Sequence, residues 1–443
     1  MTAIGAFLTF LFCMAVATLP RRWVATAYLA AVLYITQGQA VDIFGFNFMA
    51  IRFVELTAFL RVLFRHELPA GKLLKMDRWL IAALVSYVVV FTLRTGEINK
   101  YQIGLMVDGL LVYFVFRGLF ADWDDFRFFM KGAVVLLVPF AFLMEYESHV
   151  GRNLFAVMGG VPETPVFRTG HYRCQASFRH AITAGTVGAT FLPLCVGFLF
   201  QKSSRGWALL GVVACGTIVF ASHSSGPLMA AVIAIAGWGC WRFRQKMHWV
   251  RRGILATIIA LHLAMSRPVW FIFDRISGIL GGDGWHRSIL IDRFVRNFGE
   301  WCFFGMPMSN TAEWAATVTK FGYVDMTNHY VSLGVNGGLI SLVFFVGMLV
   351  YCLKQVGRGL RVVRDAGPGM AMHEPILWGV GVVIVTHALN LLSVSYWDQS
   401  YVIWYLHLAA AASLGRYAEQ GYELPVAEEN PASAQPFEFG ELH

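Results

Sequence analysis

The sequence predicts an all-α fold, a polytopic transmembrane bundle of about 12–13 helices. Three observations carry that prediction. Composition is the first: 57% of residues are hydrophobic and 14% are charged, with a mean hydropathy of +0.58. A soluble domain averages about 45–50% apolar and about 25% charged residues. Recurrent apolar runs long enough to span a bilayer, about 20 residues each, are the second. The third is the segregation of basic residues into alternate loops.

The runs fall near 2–20, 23–38, 46–64, 79–93, 101–117 and 128–145, then 181–200, 206–222, 225–241 and 252–266, then 331–352, 376–394 and 400–416. The first has Arg21-Arg22 after its apolar stretch and no basic region before it, so it reads as an uncleaved span although Ala15-Val16-Ala17 resembles a cleavage site. The third carries Arg52, Glu55 and Arg61, each costly in lipid. Arg52 and Glu55 lie one helical turn apart and suit a pair; Asp108 is another partner for Arg52. His387, Asn390 and His407 suit polar contacts between helices.

Lys and Arg fill the short loops near 21–22, 65–78, 117–127, 202–205, 242–252 and 354–364, whereas the short loops on the other side hold only Arg94 and Lys100. The positive-inside bias places the first set in the cytoplasm. The net charge of +8 is then a topological signal, and no nucleic-acid partner is expected. The membrane domain is expected over 1–416, with 417–443 an acidic, disordered cytoplasmic tail. Two long loops, 146–180 and 267–330, face outward, and long ordered loops are often functional. The seven cysteines form no CxxC or Cys/His cluster, and neither outward loop has an Asp-x-Asp pair. No metal and no cofactor are expected. No internal repeat is visible, which speaks against many transporter architectures.

Both outward loops concentrate arginine. The first ends in FRTGHYRCQASFRH, with Arg168, His171, Arg173, Arg179 and His180 crowded before a span. The planar guanidinium fork suits phosphate. Arg173 is assigned to a site; Arg168 and Arg179 suit either substrate binding or lipid-headgroup contact with snorkelling. The second loop contains GGDGWHRSILIDRFVRNFGEW. Ile291, Phe294, Val295, Phe298 and Trp301 recur at helical spacing, with Arg293, Arg296, Asn297 and Glu300 opposite, as in a helix lying on a membrane. Gly281, Gly282 and Gly284 lead into it, and Trp285-His286-Arg287 precedes it, where a helix N-terminus favours an anion. Arg287 could instead pair with Asp283 or Asp292. Where the chain returns to the membrane, the knot Thr327-Asn328-His329-Tyr330 runs into Gly-Val-Asn-Gly-Gly. Together these elements suit a ligand with a lipid tail in the bilayer and a pyrophosphate at the interface.

At these residues the chain resembles the bacterial O-antigen ligase and O-antigen polymerase superfamily, membrane glycosyltransferases of the GT-C helical type. The likeness covers most of the chain loosely and is specific at three places. Arg173, followed by Phe178, His180 and Gly185, is similar to a family pattern of arginine, aromatic, His-Pro-like pair and glycine, with Ala181 in the place of proline. Arg287, about 18 positions before Gly305, is similar to the family's arginine before a Gly-x-Gly-like turn, from which Met306-Pro307 departs. The stretch from Asn328 to Gly338 resembles the third motif. Aligned on Asn336 and Gly338, the family's histidine falls on Thr327 and its asparagine on Asn328, so that His329 is displaced by two positions; Ser341 replaces the second glycine.

The resemblance implies a metal-independent, inverting transfer or polymerisation of glycans from an undecaprenyl-pyrophosphate-linked donor to a glycan or lipid acceptor. It would take place on the outer face of the bacterial inner membrane, in O-antigen or exopolysaccharide assembly. Arg173 and Arg287 would then neutralise the leaving pyrophosphate, and His329, with Asp325 as an alternative or as its orienting group, would be the general base. Arg168, Arg179, His180, His286, Thr327 and Asn328 would bind substrate beside membrane lipids. The competing readings are a lipid-linked-glycan flippase or other transporter, and a non-catalytic membrane subunit of a polysaccharide assembly complex.

Overall fold

A computed structural model describes residues 1–43, 46–68, 72–280, 282–315 and 318–423. The fold is an all-α bundle with two small antiparallel hairpins. The first block comprises α1 (Ala3–Thr18), α2 (Arg21–Tyr34), hairpin β1–β2 (Ala40–Ile43 and Phe46–Met49), α3 (Ala50–Phe64), α4 (Lys75–Thr95), α5 (Lys100–Leu119) and α6 (Trp123–Val150). Hairpin β3–β4 (Val166–Arg168 and His171–Arg173) follows, then α7 (Ala181–Phe198), α8 (Arg205–Ala221), α9 (Ser225–Gly239) and α10 (Met247–Ala264). A cap of α11 (Ile272–Leu280), α12 (Gly284–Arg296) and α13 (Phe298–Trp301) leads to α14 (His329–Asp365), α15 (Glu374–Asn390) and α16 (Gln399–Glu423).

Among the described residues, thirteen helices overlap the thirteen expected apolar runs, with α9 and α10 joined by the 3₁₀ turn Cys240–Lys246. Among the described residues, eight helical runs are long and apolar enough to cross a membrane, the character of a multi-pass membrane protein. Helices α1, α2 and α3 fall short at 16, 14 and 15 residues. The third run begins as strand β2 and turns helical only at Ala50, because Phe46–Met49 pairs with Ala40–Ile43. The last helix runs to Glu423. It passes the expected boundary at 416, and Tyr417 donates its hydroxyl to Phe120 O at 2.6 Å. Residues 424–443, and Gly281 of the glycine lead-in, lie outside the described residues.

The loops gather at two ends. At one, Arg65 reaches Ala17 O (3.0 Å), Arg244 and Arg364 share Glu374 (3.1 and 2.6 Å), and Gln201 reaches Met372 O (3.3 Å). These are the loops expected to be basic. At the other, Thr2 Oγ1 donates to Met158 O (2.9 Å), Ser177 Oγ to Leu33 O (2.6 Å), and Ser395 Oγ to Met326 O (2.7 Å). Both long loops belong to this second end.

Three arginines inside the helices, Arg52, Arg61 and Arg117, are each paired with a carboxylate. Arg52 pairs with Asp108 at 2.7 Å rather than with Glu55, whose Oε1 instead accepts from Tyr401 at 2.6 Å. Arg61 bridges Glu67 and the carbonyls of Val16, Ala17 and Leu19, which are left open at the C-terminus of α1. Asp77, at the start of α4, holds Arg117 at 3.5 Å. His387 contacts Tyr396 OH (2.8 Å) and His407 Nδ1 (2.9 Å), and Asn390 donates to the same Tyr396 (3.0 Å). Of the interhelical polar contacts expected of them, His387–His407 is one and Asn390 Nδ2 to Thr186 Oγ1 at 3.4 Å is another; Tyr396 lies in the connection between α15 and α16.

Helix α14 is broken. Gly338 has φ 65° and ψ −176°, a conformation essentially restricted to glycine. Two backbone groups that would meet across a continuous turn are thereby released, and the α13–α14 connection takes both. Leu339 N donates to Cys302 O at 2.8 Å, and Val335 O accepts from Met306 N at 2.7 Å. Arg94, at the end of α4, adds donations to Met306 O (2.6 Å) and Val335 O (2.9 Å). Gly305, at φ 70°, makes room for the crossing. The segments carrying the second and third sequence motifs are therefore stitched into one unit. Beneath it lies a small separate core of Leu290, Trp301, Met306, Trp314, Val324, Val331 and Val335.

Candidate functional site

At the end of the bundle that carries both long loops, a cavity of about 250 Å³ is lined by Arg168, Arg173, His180, Ile182, Ser225, Gly282, Asp283, His286, Arg287, Asp325 and Thr327. Residues from four distant stretches meet here: hairpin β3–β4 with the start of α7, the start of α9, the start of α12, and the chain just before α14.

Arg173 closes strand β4 and donates to Ser224 Oγ at 2.9 Å. The turn after it is held from below. Glu147, 1% exposed at the end of α6, accepts Gln175 N (3.1 Å) and Ala176 N (2.8 Å), one on each carboxylate oxygen. Asn153 Nδ2 donates to Ala176 O at 2.8 Å. Ala176 sits at φ 49°, a left-handed conformation costing an L-residue about 1–2 kcal/mol, and these three bonds fix it there. The turn delivers Arg173 on one side and His180, the N-cap of α7, on the other.

Arg287 arrives differently. Helix α12 begins at Gly284, capped by Asp283, whose carboxylate accepts His286 N at 3.0 Å. Trp285, His286 and Arg287 thus lie in the first helical turn rather than ahead of it. The helix stops at Arg296, and Asn297 separates it from the single turn α13, so the expected continuous amphipathic helix is two pieces. Phe294 and Trp301 stack across that break with centroids 3.9 Å apart, while Val295 and Phe298 remain exposed. Asp292 pairs with Arg296 at 2.7 Å. Arg287 therefore does not pair with Asp292, and Asp283 is within its electrostatic influence without an ion pair.

Among the described residues, Arg168, Arg173 and Arg287 have no carboxylate within ion-pair distance. Burial, and then Arg168, holds Arg173 below the ordinary arginine range. Burial does the same to Arg287, partly offset by Asp283. Both shifts mark positive charge kept in partial desolvation, which a bound anion would relieve. Thr327 Oγ1 is buried without a partner at the same wall.

Three expected site residues lie elsewhere. Arg179 forms a two-pronged ion pair with Asp398, 219 residues away, and its guanidinium lies 5.3 Å over the Trp397 ring. Asn328 is the N-cap of α14, accepting Tyr330 N (3.0 Å) and Val331 N (3.1 Å). His329 is the first residue of α14; its N–H donates to Leu391 O (2.9 Å) and its ring packs on Phe345 at 5.3 Å. It does not line the cavity, because the N-cap geometry turns it toward the helices. Thr327, two positions earlier, does line it. Glu147, Asn153 and Ser224 are the residues sequence reasoning missed; none stands in a motif, and their role appears only in the turn they hold.

Scans of the chain against protein-family models and against curated proteins find no match.

Proposed function

We propose that this chain is a membrane glycosyltransferase that moves or polymerises a glycan from an undecaprenyl-pyrophosphate-linked donor, as its resemblance to the O-antigen ligases and polymerases implies. One observation carries the reading: three arginines without a carboxylate partner converge on one cavity at the end of an apolar helical bundle. A polyprenyl pyrophosphate has the matching form, a dianionic head on a hydrocarbon tail. The cavity end would face away from the cytoplasm of a bacterial inner membrane, with the C-terminus inside, by the distribution of basic loops.

In the reaction, the acceptor oxygen attacks the anomeric carbon from the face opposite the pyrophosphate. The bond from that carbon to the pyrophosphate oxygen breaks, and its electron pair leaves with the pyrophosphate. Arg173 and Arg287, assisted by Arg168, neutralise that growing charge from preorganised positions. His180 adds a hydrogen bond: its Nδ1 accepts Ile182 N at 3.2 Å, so the neutral ring presents Nε2–H. Burial, then Arg173, against the opposing pull of Asp325, keep its pKa below the ordinary histidine value. A flippase is less well supported, because Arg52, Arg61 and Arg117 within the helices are each paired with a carboxylate rather than lining a charged path.

The test is transfer by the purified protein in nanodiscs from an undecaprenyl-pyrophosphate glycan, for wild type, Arg173→Ala and Arg287→Ala. Loss of one such electrostatic donor is expected to slow transfer about 10²–10³-fold. Full transfer in both variants would refute the pyrophosphate clamp.

A further inference from the structure

Two histidines border the cavity, and their hydrogen bonds set them in opposite tautomers. His180 Nδ1 faces Ile182 N–H, which can only donate, so Nδ1 holds a lone pair and the neutral ring keeps its proton on Nε2. His286 Nε2 lies 2.8 Å from the carbonyl oxygen of Asp325. A carbonyl can only accept, so here Nε2 holds the proton and Nδ1 the lone pair. Nδ1 of His286 has no hydrogen-bond partner among the described residues. Of the two neutral rings that line the cavity, one thus carries its free nitrogen as a donor and the other as a proton acceptor.

Resting on the glycosyltransferase reading, we infer that His286, not His329, is the general base, and that the Asp325 backbone carbonyl is the group that orients it. His329 packs on Phe345 away from the cavity. His286 Nδ1 takes the proton of the acceptor hydroxyl as that oxygen bonds to the anomeric carbon and the pyrophosphate departs with the bonding pair. The imidazolium keeps its Nε2–H bond to Asp325 O, now charge-assisted and stronger, and then yields the Nδ1 proton to water. The titratable and charged groups that share the lining with His286 are Asp283, which accepts its backbone N–H at 3.0 Å, Asp325, His180, Arg168, Arg173 and Arg287. The Asp325 carboxylate is the rival base, and the variants below separate the two.

The experiment compares wild type, His286→Ala, His286→Gln, His329→Gln and Asp325→Asn in nanodiscs, following kcat, KM for donor, donor affinity and the pH profile, with thermal unfolding to show that each variant folds. His286→Ala and His286→Gln should lower kcat about 10²–10⁴-fold and leave donor affinity within about twofold, because the arginines still bind the head group. The acid limb of the pH profile should vanish, and added imidazole should restore part of the rate to His286→Ala. Full kcat in His286→Ala, with transfer still lost in Arg173→Ala and Arg287→Ala, would overturn this inference and leave the glycosyltransferase reading intact. An acid limb that persists in His286→Ala and disappears in Asp325→Asn would move the base to Asp325. Absence of transfer in the wild type would remove both.

Discussion

The break at Gly338 makes a quantitative prediction about how the cap is joined to the bundle. Gly338→Ala places a Cβ 3.0 Å from the carbonyl carbon of Phe303 and still nearer to its oxygen. It also asks alanine to adopt φ 65°, ψ −176°. Backbone strain of that kind costs about 1–3 kcal/mol, and overpacking costs about 1–3 kcal/mol more. The expected loss is therefore about 2–6 kcal/mol. Gly357 is the internal control: it lies in the same helix with nothing within 4 Å of an added Cβ, so alanine there should be neutral or gain up to about 1 kcal/mol of helix propensity. Thermal unfolding in one detergent, followed by tryptophan fluorescence, measures both. Amide exchange at Leu339 and Met306, the two donors across the break, should rise in Gly338→Ala alone. A Gly338→Ala protein as stable as Gly357→Ala would mean that α14 runs straight through, and that its contacts with the 302–306 turn do not exist.

Three further expectations follow from the same side chains. Glu147→Ala removes two charge-assisted bonds to backbone, each worth about 1.5–3 kcal/mol, so it should lower the unfolding temperature and also impair donor binding by releasing Arg173; normal donor binding in a folded Glu147→Ala would refute the positioning role. Arg179→Ala leaves Asp398 buried without its partner and should destabilise by about 1–3 kcal/mol, discounted because Arg179 is part-exposed, while Arg287→Ala should barely change stability and should weaken donor binding. Measured side by side, the reverse order would reassign the two arginines. Hairpin β3–β4 is stapled by His171 stacked on His223, with centroids 4.5 Å apart and planes within 6°. Burial, and then His171, lower the His223 pKa, with Glu145 opposing. A depressed histidine contributes stability that is present above its unfolded pKa, about 6.5, and is lost as pH falls through the folded value. Protease sensitivity of residues 166–173 should therefore rise from pH 7 to pH 5, and His223→Gln should flatten that rise.

Much of the architecture was legible because hydropathy and loop charge are local properties. Each apolar run became a helix near its expected position, and the two sets of loops separated to two ends. The misses have local causes of their own. Phe46–Met49 is as apolar as a span, but a strand partner six residues away captured it. Residues 291–301 have helical periodicity, which does not report the break at Asn297. His329 attracted attention as a histidine at a membrane boundary, and the same polar knot supplies the N-cap at Asn328 that turns it away.

The sequence by itself determined the class of the molecule, its helical runs, and the concentration of positive charge around 168–180 and at 287, since each is written in neighbouring residues. Only the tertiary structure decided which of those charges remain available. Arg173 and Arg179 are six positions apart and look equivalent in the chain. One faces a cavity beside Arg287, and the other is neutralised by Asp398, 219 residues downstream. The same holds for the imidazoles: whether a ring donates or accepts depends on one hydrogen bond at its far nitrogen, from Ile182 N–H to His180 and from His286 to the carbonyl of Asp325. Pairing and tautomer are properties of contacts between distant segments, and those contacts exist only once the chain has folded.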